Sequence, residues 1–209
     1  MNTDHNKIIV IGRQYGGGGR KVGKNLAELL GIPYYDKEII NQVSERYGYH
    51  PDILDMADEK KPSPFRSMLL GKYGVMDIYA ASPLSREALY AAQTDVIRQI
   101  CQEGDCVIVG RTADYIMRDH PGLTSVFIHA PIEWRATNII ARKEAETQSE
   151  AISKLKKADN EREGYYNYFT GKRWGVADNY HLSIDSSLID SNAIAHLIAT
   201  FIDSRTNHK

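Results

Sequence analysis

Short apolar runs alternate along this chain with segments whose apolar residues recur every three or four positions, and the alternation predicts the architecture. "KIIVIG" (7–12) reads as a fully buried strand. After it Val22, Leu26, Leu29 and Leu30 repeat at helical spacing until Gly31 and Pro33 supply stop signals. "IPYYD" is a second short strand ending in Asp36, and "KEIINQVSERYG" places Ile39, Ile40, Val43 and Tyr47 on one helical face before Gly48. Ser82 and Pro83 open a further helix carrying Leu89, Ala92, Val96 and Ile100, which ends at Gly104. Then come the strand "DCVIVG", the strand "TSVFIHA", and a helix opened by Pro131 that carries Ile132, Trp134 and Ile139. "HLSIDSS" is the last strand, and Ile194, Leu197, Ile198, Phe201 and Ile202 stripe a final helix.

Two segments break the beat. From His50 to about Pro83 the pattern weakens among prolines and glycines, which reads as a mobile insertion, and a charged stretch from Arg142 to Arg173 interrupts the second half. Buried strands alternating with amphipathic helices predict an α/β fold: a three-layer parallel sheet with helices on both faces, ligands binding at the carboxyl ends of its strands.

Composition narrows the function classes. At 209 residues, 42% of them hydrophobic, the chain suits one domain. Its 26 basic and 27 acidic residues argue against a general nucleic-acid or membrane surface, so an anion site has to be built locally. Two cysteines, Cys101 and Cys106, are too few for a disulfide scaffold; Cys106 sits inside an apolar run as a small hydrophobe, which fits a reducing compartment. With no apolar run near the ~20 residues of a membrane span and no signal-peptide core, a cytoplasmic protein is expected.

Within that frame the stretch "GRQYGGGGRKVG" is the chemical signal. Glycines at a strand-to-helix turn permit positive φ and let backbone N–H groups approach an anion, while the helix points its positive end at the same place. A flexible linker is the rival reading, and the buried strand before the run and the helix after it count against it. The phosphate-loop pattern G-x-x-x-x-G-K-[ST], started at Gly12, reaches Gly17 but then meets Gly18 and Gly19 where a lysine and a hydroxyl belong. Neither register of G-x-G-x-x-G, from Gly16 or from Gly17, supplies its third glycine.

"GRQYGGGGRKVGKNLAELLGIPYYD", "CVIVGRTADYIM" and "YYNYFTGKRWGVADNYHLSID" together resemble the glycine loop, substrate-binding strand and lid-to-last-strand region of the cytidylate-kinase-like family of P-loop nucleoside monophosphate kinases. The resemblance implies one kinase-like domain over 1–209, with a substrate-binding insertion at about 48–84 and a lid-like segment at about 145–178. It implies ATP as phosphoryl donor with Mg²⁺, and phosphorylation of a nucleoside monophosphate, CMP or dCMP first. Gly16, Gly17, Gly18 and Gly19 would wrap the ATP phosphates, with Arg20 replacing the absent lysine and Lys21 the alternative cation. Asp36 would stand near the acceptor nucleotide, its rival role being the N-cap of the next helix. Arg111, after Gly110, would grip the acceptor phosphate, and Arg162 and Lys172 would bring lid cations over the transferring group.

Lys154, Lys156 and Lys157 read as a solvated face, and Tyr165, Tyr166, Tyr168, Phe169 and Trp174 either stack on a base or pack a loop onto the body. Two other functions remain open on sequence grounds: a nucleotide-binding regulator without turnover, and a kinase of another small metabolite.

Overall fold

The structure, a computed structural model, describes residues 5–48 and 86–207. The insertion expected at about 48–84 and the helix start at Ser82 and Pro83 fall outside these, apart from Gly48, which caps its helix in the left-handed conformation. Five strands form one parallel sheet: β1 (Ile8–Arg13), β2 (Tyr34–Tyr35), β3 (Cys106–Val109), β4 (Leu123–His129) and β5 (Leu182–Asp185), in the order β2-β3-β1-β4-β5. The helices are α1 (Gly19–Leu30), α2 (Glu38–Tyr47), α3 (Arg86–Glu103), α4 (Ala113–Ile116), α5 (Ile132–Ala141), α6 (Gln148–Thr170) and α7 (Ser191–Asn207).

Strand periodicity divides the core. Ile8 and Val10 of β1, with Cys106 and Ile108 of β3, pack on α2, α3 and α4 through Ile39, Val43, Ile97, Ile100 and Ile116. Ile9, Ile11, Val107 and Val109 point to the other face, against Val22 and Leu26 of α1 and Ile194, Ile198 and Ile202 of α7. Four consecutive aliphatics of β1 are at most 1% exposed. Each contributes about 1.5–3 kcal/mol of burial, which fixes the central strand and hence the position of whatever follows it.

Two expectations are corrected. Leu29 and Leu197, read as part of buried stripes, are 42% and 44% exposed: each lies at the edge of its helix's apolar face, beyond the reach of the sheet. The charged stretch after Arg142 does break the strand-then-helix beat: from Gln148 it forms the 23-residue α6, a second helix directly after α5. Thr147 caps it by accepting from the Glu150 N–H, and Ala151, Leu155, Arg162, Tyr165 and Tyr166 form its buried stripe. A second small core of Ala136, Ile139, Ala145, Ala151 and Leu155 joins α6 to α5.

Order within the sheet decides where a site belongs. The chain passes from β1 to β2 and β3 on one side and returns to β4 and β5 on the other, so the carboxyl end of β1 is the switch point where an α/β sheet opens a crevice. The glycine run occupies that end.

Candidate functional site

The loop between β1 and α1 turns its carbonyls outward and holds them there. The Gly16 carbonyl accepts from Asn138 Nδ2 at 3.2 Å and the Gly17 carbonyl from Ser186 Oγ at 2.7 Å. Gln14 is tied to β4 and its end, its N–H donating to the Ile128 carbonyl and its Oε1 accepting from the Ala130 N–H. Gly16 and Gly18 have φ of 77° and 79°, conformations that favour glycine. At Gly16 a Cβ would also press on the Arg135 carbonyl and Leu155, each 3.0 Å away. Gly18 caps α1 with open space where its Cβ would be. Among the described residues no acceptor takes the N–H of Gly18, Gly19 or Arg20. These groups, at a helix N-terminus, form a ready anion cradle.

Cations and one buried carboxylate line the cavity beside this cradle, about 540 Å³ in volume. Asp36, 5% exposed, accepts from Arg20 Nε at 2.6 Å and lies 3.8 Å from Arg13 Nη2. Its reading as a helix N-cap is corrected: Lys37 is the N-cap of α2, and Asp36 is committed to arginines. Arg20 is part-exposed, whereas Arg13 is 5% exposed, and Lys21 reaches the rim, where its charge also helps to hold the Asp190 carboxyl below its ordinary range, behind hydrogen bonds from the Ala193 and Asn192 N–H groups. Arg162, 3% exposed, donates from Nη1 to the Arg13 carbonyl at 3.3 Å and stacks over the Tyr15 ring.

A carboxylate on α6 ties the loop to that helix. Asp159 Oδ1 accepts from the Tyr15 N–H at 2.7 Å, Oδ2 accepts from Arg135 Nη1 at 2.6 Å, and Arg162 Nη1 lies 3.5 Å away. Burial raises the Tyr15 pKa, and the bond its hydroxyl donates to Glu144 adds to the rise. Sequence reasoning singled out Arg162 but missed Arg13, Tyr15, Arg135 and Asp159, whose partners lie far away in the chain.

Arg111 is brought to the end of β3, next to β1, with 1% exposure. Gly110, Arg111 and Thr112 are consecutive left-handed residues with φ of 77°, 61° and 51°. The two non-glycines cost on the order of 1–2 kcal/mol each, strain of the sort kept at ligand sites. Lys172 does not line the 540 Å³ cavity. It lies near Asp114, whose carboxyl burial pushes up to about 6 while a 2.8 Å hydrogen bond from Tyr166 and the Lys172 charge oppose the rise.

The aromatic cluster packs the body: Phe169 stacks on Tyr90 at 4.1 Å between centroids, and Trp174 meets Phe127 edge-on at 5.2 Å. Tyr168 alone of the five stands 61% exposed. A second cavity of about 610 Å³ opens on the far side of the loop, lined by Gly17, Trp134, Arg142, Leu188 and Ile189 among others.

No grouping of three carboxylate, histidine or cysteine side chains suited to a metal ion occurs among the described residues, and the loop position after Gly19 is an arginine rather than a hydroxyl. Asp36, the buried carboxylate beside the cradle, already faces two guanidiniums. These residues do not fit a protein-held Mg²⁺ site, and a magnesium ion delivered on nucleotide phosphates would keep its waters.

Residues 8–188 match the model of the cytidylate kinase-like family. The chain belongs to that family. Among curated proteins none matches it. Of solved structures, an uncharacterized protein from Eubacterium ventriosum is 26% identical with a TM-score of 0.70, over 94% of this chain and 98% of that one. A gluconokinase from Sinorhizobium meliloti aligns at TM-score 0.54 and 14% identity over 97% and 95% of the two chains. The Acinetobacter baumannii shikimate kinase in complex with shikimate aligns at 0.51 and 16%, with the same coverage. These kinases share the fold, an α/β P-loop kinase type, so this member of the cytidylate kinase-like family has a kinase architecture. No helix among the described residues is long and apolar enough to cross a membrane.

Proposed function

We propose that the protein transfers the terminal phosphoryl group of ATP, supplied with Mg²⁺, to a nucleoside monophosphate, with CMP or dCMP as first candidates. The observation that carries this reading is the convergence in one crevice of the open N–H groups of Gly18, Gly19 and Arg20 with the cations Arg13, Arg20, Lys21 and Arg162. Phosphoryl transfer needs in-line positioning and cancellation of charge on the equatorial oxygens, with no covalent nucleophile, and such a crevice supplies both.

In this reading the donor phosphates lie on the glycine loop and the donor base enters the 610 Å³ cavity between Trp134 and Leu188. Arg20 neutralises phosphate charge, Arg111 holds the acceptor phosphate from its strained turn, and Arg162 with Lys172 carries charge from α6 and its end. Tyr34 supports an acceptor position beside Asp36: its hydroxyl is buried without a hydrogen-bond partner among the described residues, and it lines the cationic cavity. A bound polar group would satisfy it.

Incubation of the protein with ATP, Mg²⁺ and a panel of nucleoside monophosphates tests the reading; no diphosphate from any of them overturns it. The likeness in fold to shikimate kinase and gluconokinase favours one second reading, transfer to a small alcohol, which a product phosphate ester from a non-nucleotide acceptor would establish instead. Tight nucleotide binding without turnover on either panel would point to a regulator.

A further inference from the structure

Gly18, the residue that caps α1, gives the phosphate-loop pattern a second register. With Gly18 as the pattern's last glycine, its lysine falls on Gly19, its hydroxyl on Arg20, and its first glycine on Arg13. Glycine stands where the cation belongs, and a cation stands where glycine belongs. The structure shows these two departures to be one. A Cβ on Gly19 would lie 2.6 Å from the Arg13 Cβ and 3.1 Å from its Cγ, so only one of the two positions can carry a side chain. From there the Arg13 side chain extends to Gly110 at the end of β3, where a Cβ would overlap the guanidinium. Its head therefore lies between the donor loop and the turn that carries Arg111, with the Asp36 carboxylate 3.8 Å from Nη2.

We infer that Arg13 is the phosphate-loop cation of this protein, reaching from the last residue of β1 into the volume that a lysine opening α1 would otherwise fill, and that Asp36 is the internal anion it shares with Arg20 until polyphosphate arrives. Three features support the assignment over Arg20. Arg13 is 5% exposed, while the Arg20 side chain is 44% exposed. The Arg13 backbone is pinned by Arg162. Both glycines that its path requires, Gly19 and Gly110, are present. A guanidinium held this way grips phosphate oxygens with little loss of freedom on binding. The inference rests on the proposed reading of the loop as a polyphosphate site and specifies its cation.

Inorganic tripolyphosphate is the probe, because it needs neither base nor acceptor, and calorimetry with a melting curve for each variant is the readout. Arg13→Gly is expected to weaken binding at least 30-fold, and more than Arg20→Gly does. The exchange Arg13→Gly with Gly19→Lys returns the pattern's first glycine and its lysine, with Arg20 still at the hydroxyl position, and is expected to restore affinity to within about 5-fold of the natural chain, while Gly19→Lys alone does not bind. Asp36→Asn is expected to tighten binding at least 3-fold by removing the competing carboxylate. Arg13→Gly binding within 3-fold of the natural chain overturns the assignment, as does a folded double variant that is no better than Arg13→Gly. Should the Arg13 variants melt below the assay temperature, Asp36→Asn decides, and unchanged or weaker binding overturns it. A folded natural chain that does not bind tripolyphosphate removes the polyphosphate-site reading and this inference together, an outcome distinct from a chain that binds it through another cation.

Discussion

Replacing Asp159 by alanine removes the carboxylate that holds the glycine loop to α6, and the cost follows from what it leaves behind. Asp159 is 14% exposed in its side chain and faces Arg135 and Arg162, at 6% and 4%. Neither guanidinium can shed its proton, so both charges stay in a low-dielectric setting. Breaking such a pair from one side costs about 3–5 kcal/mol. The low end applies, because Arg135 keeps the Ala130 and Tyr15 carbonyls as acceptors and Arg162 keeps the Arg13 carbonyl. The Tyr15 N–H loses its acceptor as well, at about 1–3 kcal/mol. Together these give a loss of about 4 kcal/mol, which for a chain of this size lowers Tm by roughly 8–16 °C. Asp159→Asn keeps an acceptor for Tyr15 and is expected to lose about half as much. Glu163→Ala, one turn further along α6 and exposed, should stay within about 0.5 kcal/mol of the natural chain. Urea unfolding followed by circular dichroism measures all three. A loss below about 1 kcal/mol for Asp159→Ala, with an unchanged denaturant slope, would refute the claim that this carboxylate anchors the loop.

Gly18→Ala is expected to cost only about 1–2 kcal/mol of stability, since φ is 79° but no atom lies within 4 Å of the added methyl, while weakening polyphosphate binding more than tenfold because the methyl would enter the proposed phosphate space. Asp114 carries a pH signature: its folded pKa, about 6, lies above its ordinary value, so the native state holds a proton that the unfolded chain releases first. Stability is therefore lost as pH rises from about 4 through 6, and the advantage of Asp114→Asn over the natural chain should be near zero at pH 4 and grow to on the order of 2 kcal/mol by pH 7 in denaturation curves. Arg162→Lys keeps the charge but loses the paired donors, and is expected to lower kcat at least 100-fold with a smaller change in the ATP KM.

Much of the fold was legible because its signals are local. β1, the glycine turn and α1 follow from an apolar run, glycine punctuation and a helical stripe within a few dozen residues. α6 was harder: its buried stripe includes Arg162 and tyrosines, which lowers its amphipathic contrast, so the segment showed its charge more clearly than its length or its buried face. Leu29 and Leu197 show the limit of periodicity, which names a face and not how far the neighbouring layer extends over it. In the site, the glycine cradle was readable from its place between strand and helix. Arg13 was not, because its role depends on Gly19, where a helix begins, and on Gly110 in another strand's turn. Asp36 looked equally suited to capping a helix or meeting a ligand, and only the approach of Arg20 and Arg13 distinguishes a third role. The Asp159 bond to Tyr15 spans 144 positions and leaves no trace in local pattern.

In the proposed reaction this crevice moves the terminal phosphoryl group of ATP to a monophosphate. ATP labelled at its terminal phosphate, incubated with the protein, Mg²⁺ and CMP or dCMP, tests it in one step. Label is expected in the corresponding cytidine diphosphate, at a rate that depends on both nucleotides. Label that stays in ATP, or that appears only as inorganic phosphate whatever monophosphate is supplied, would contradict it.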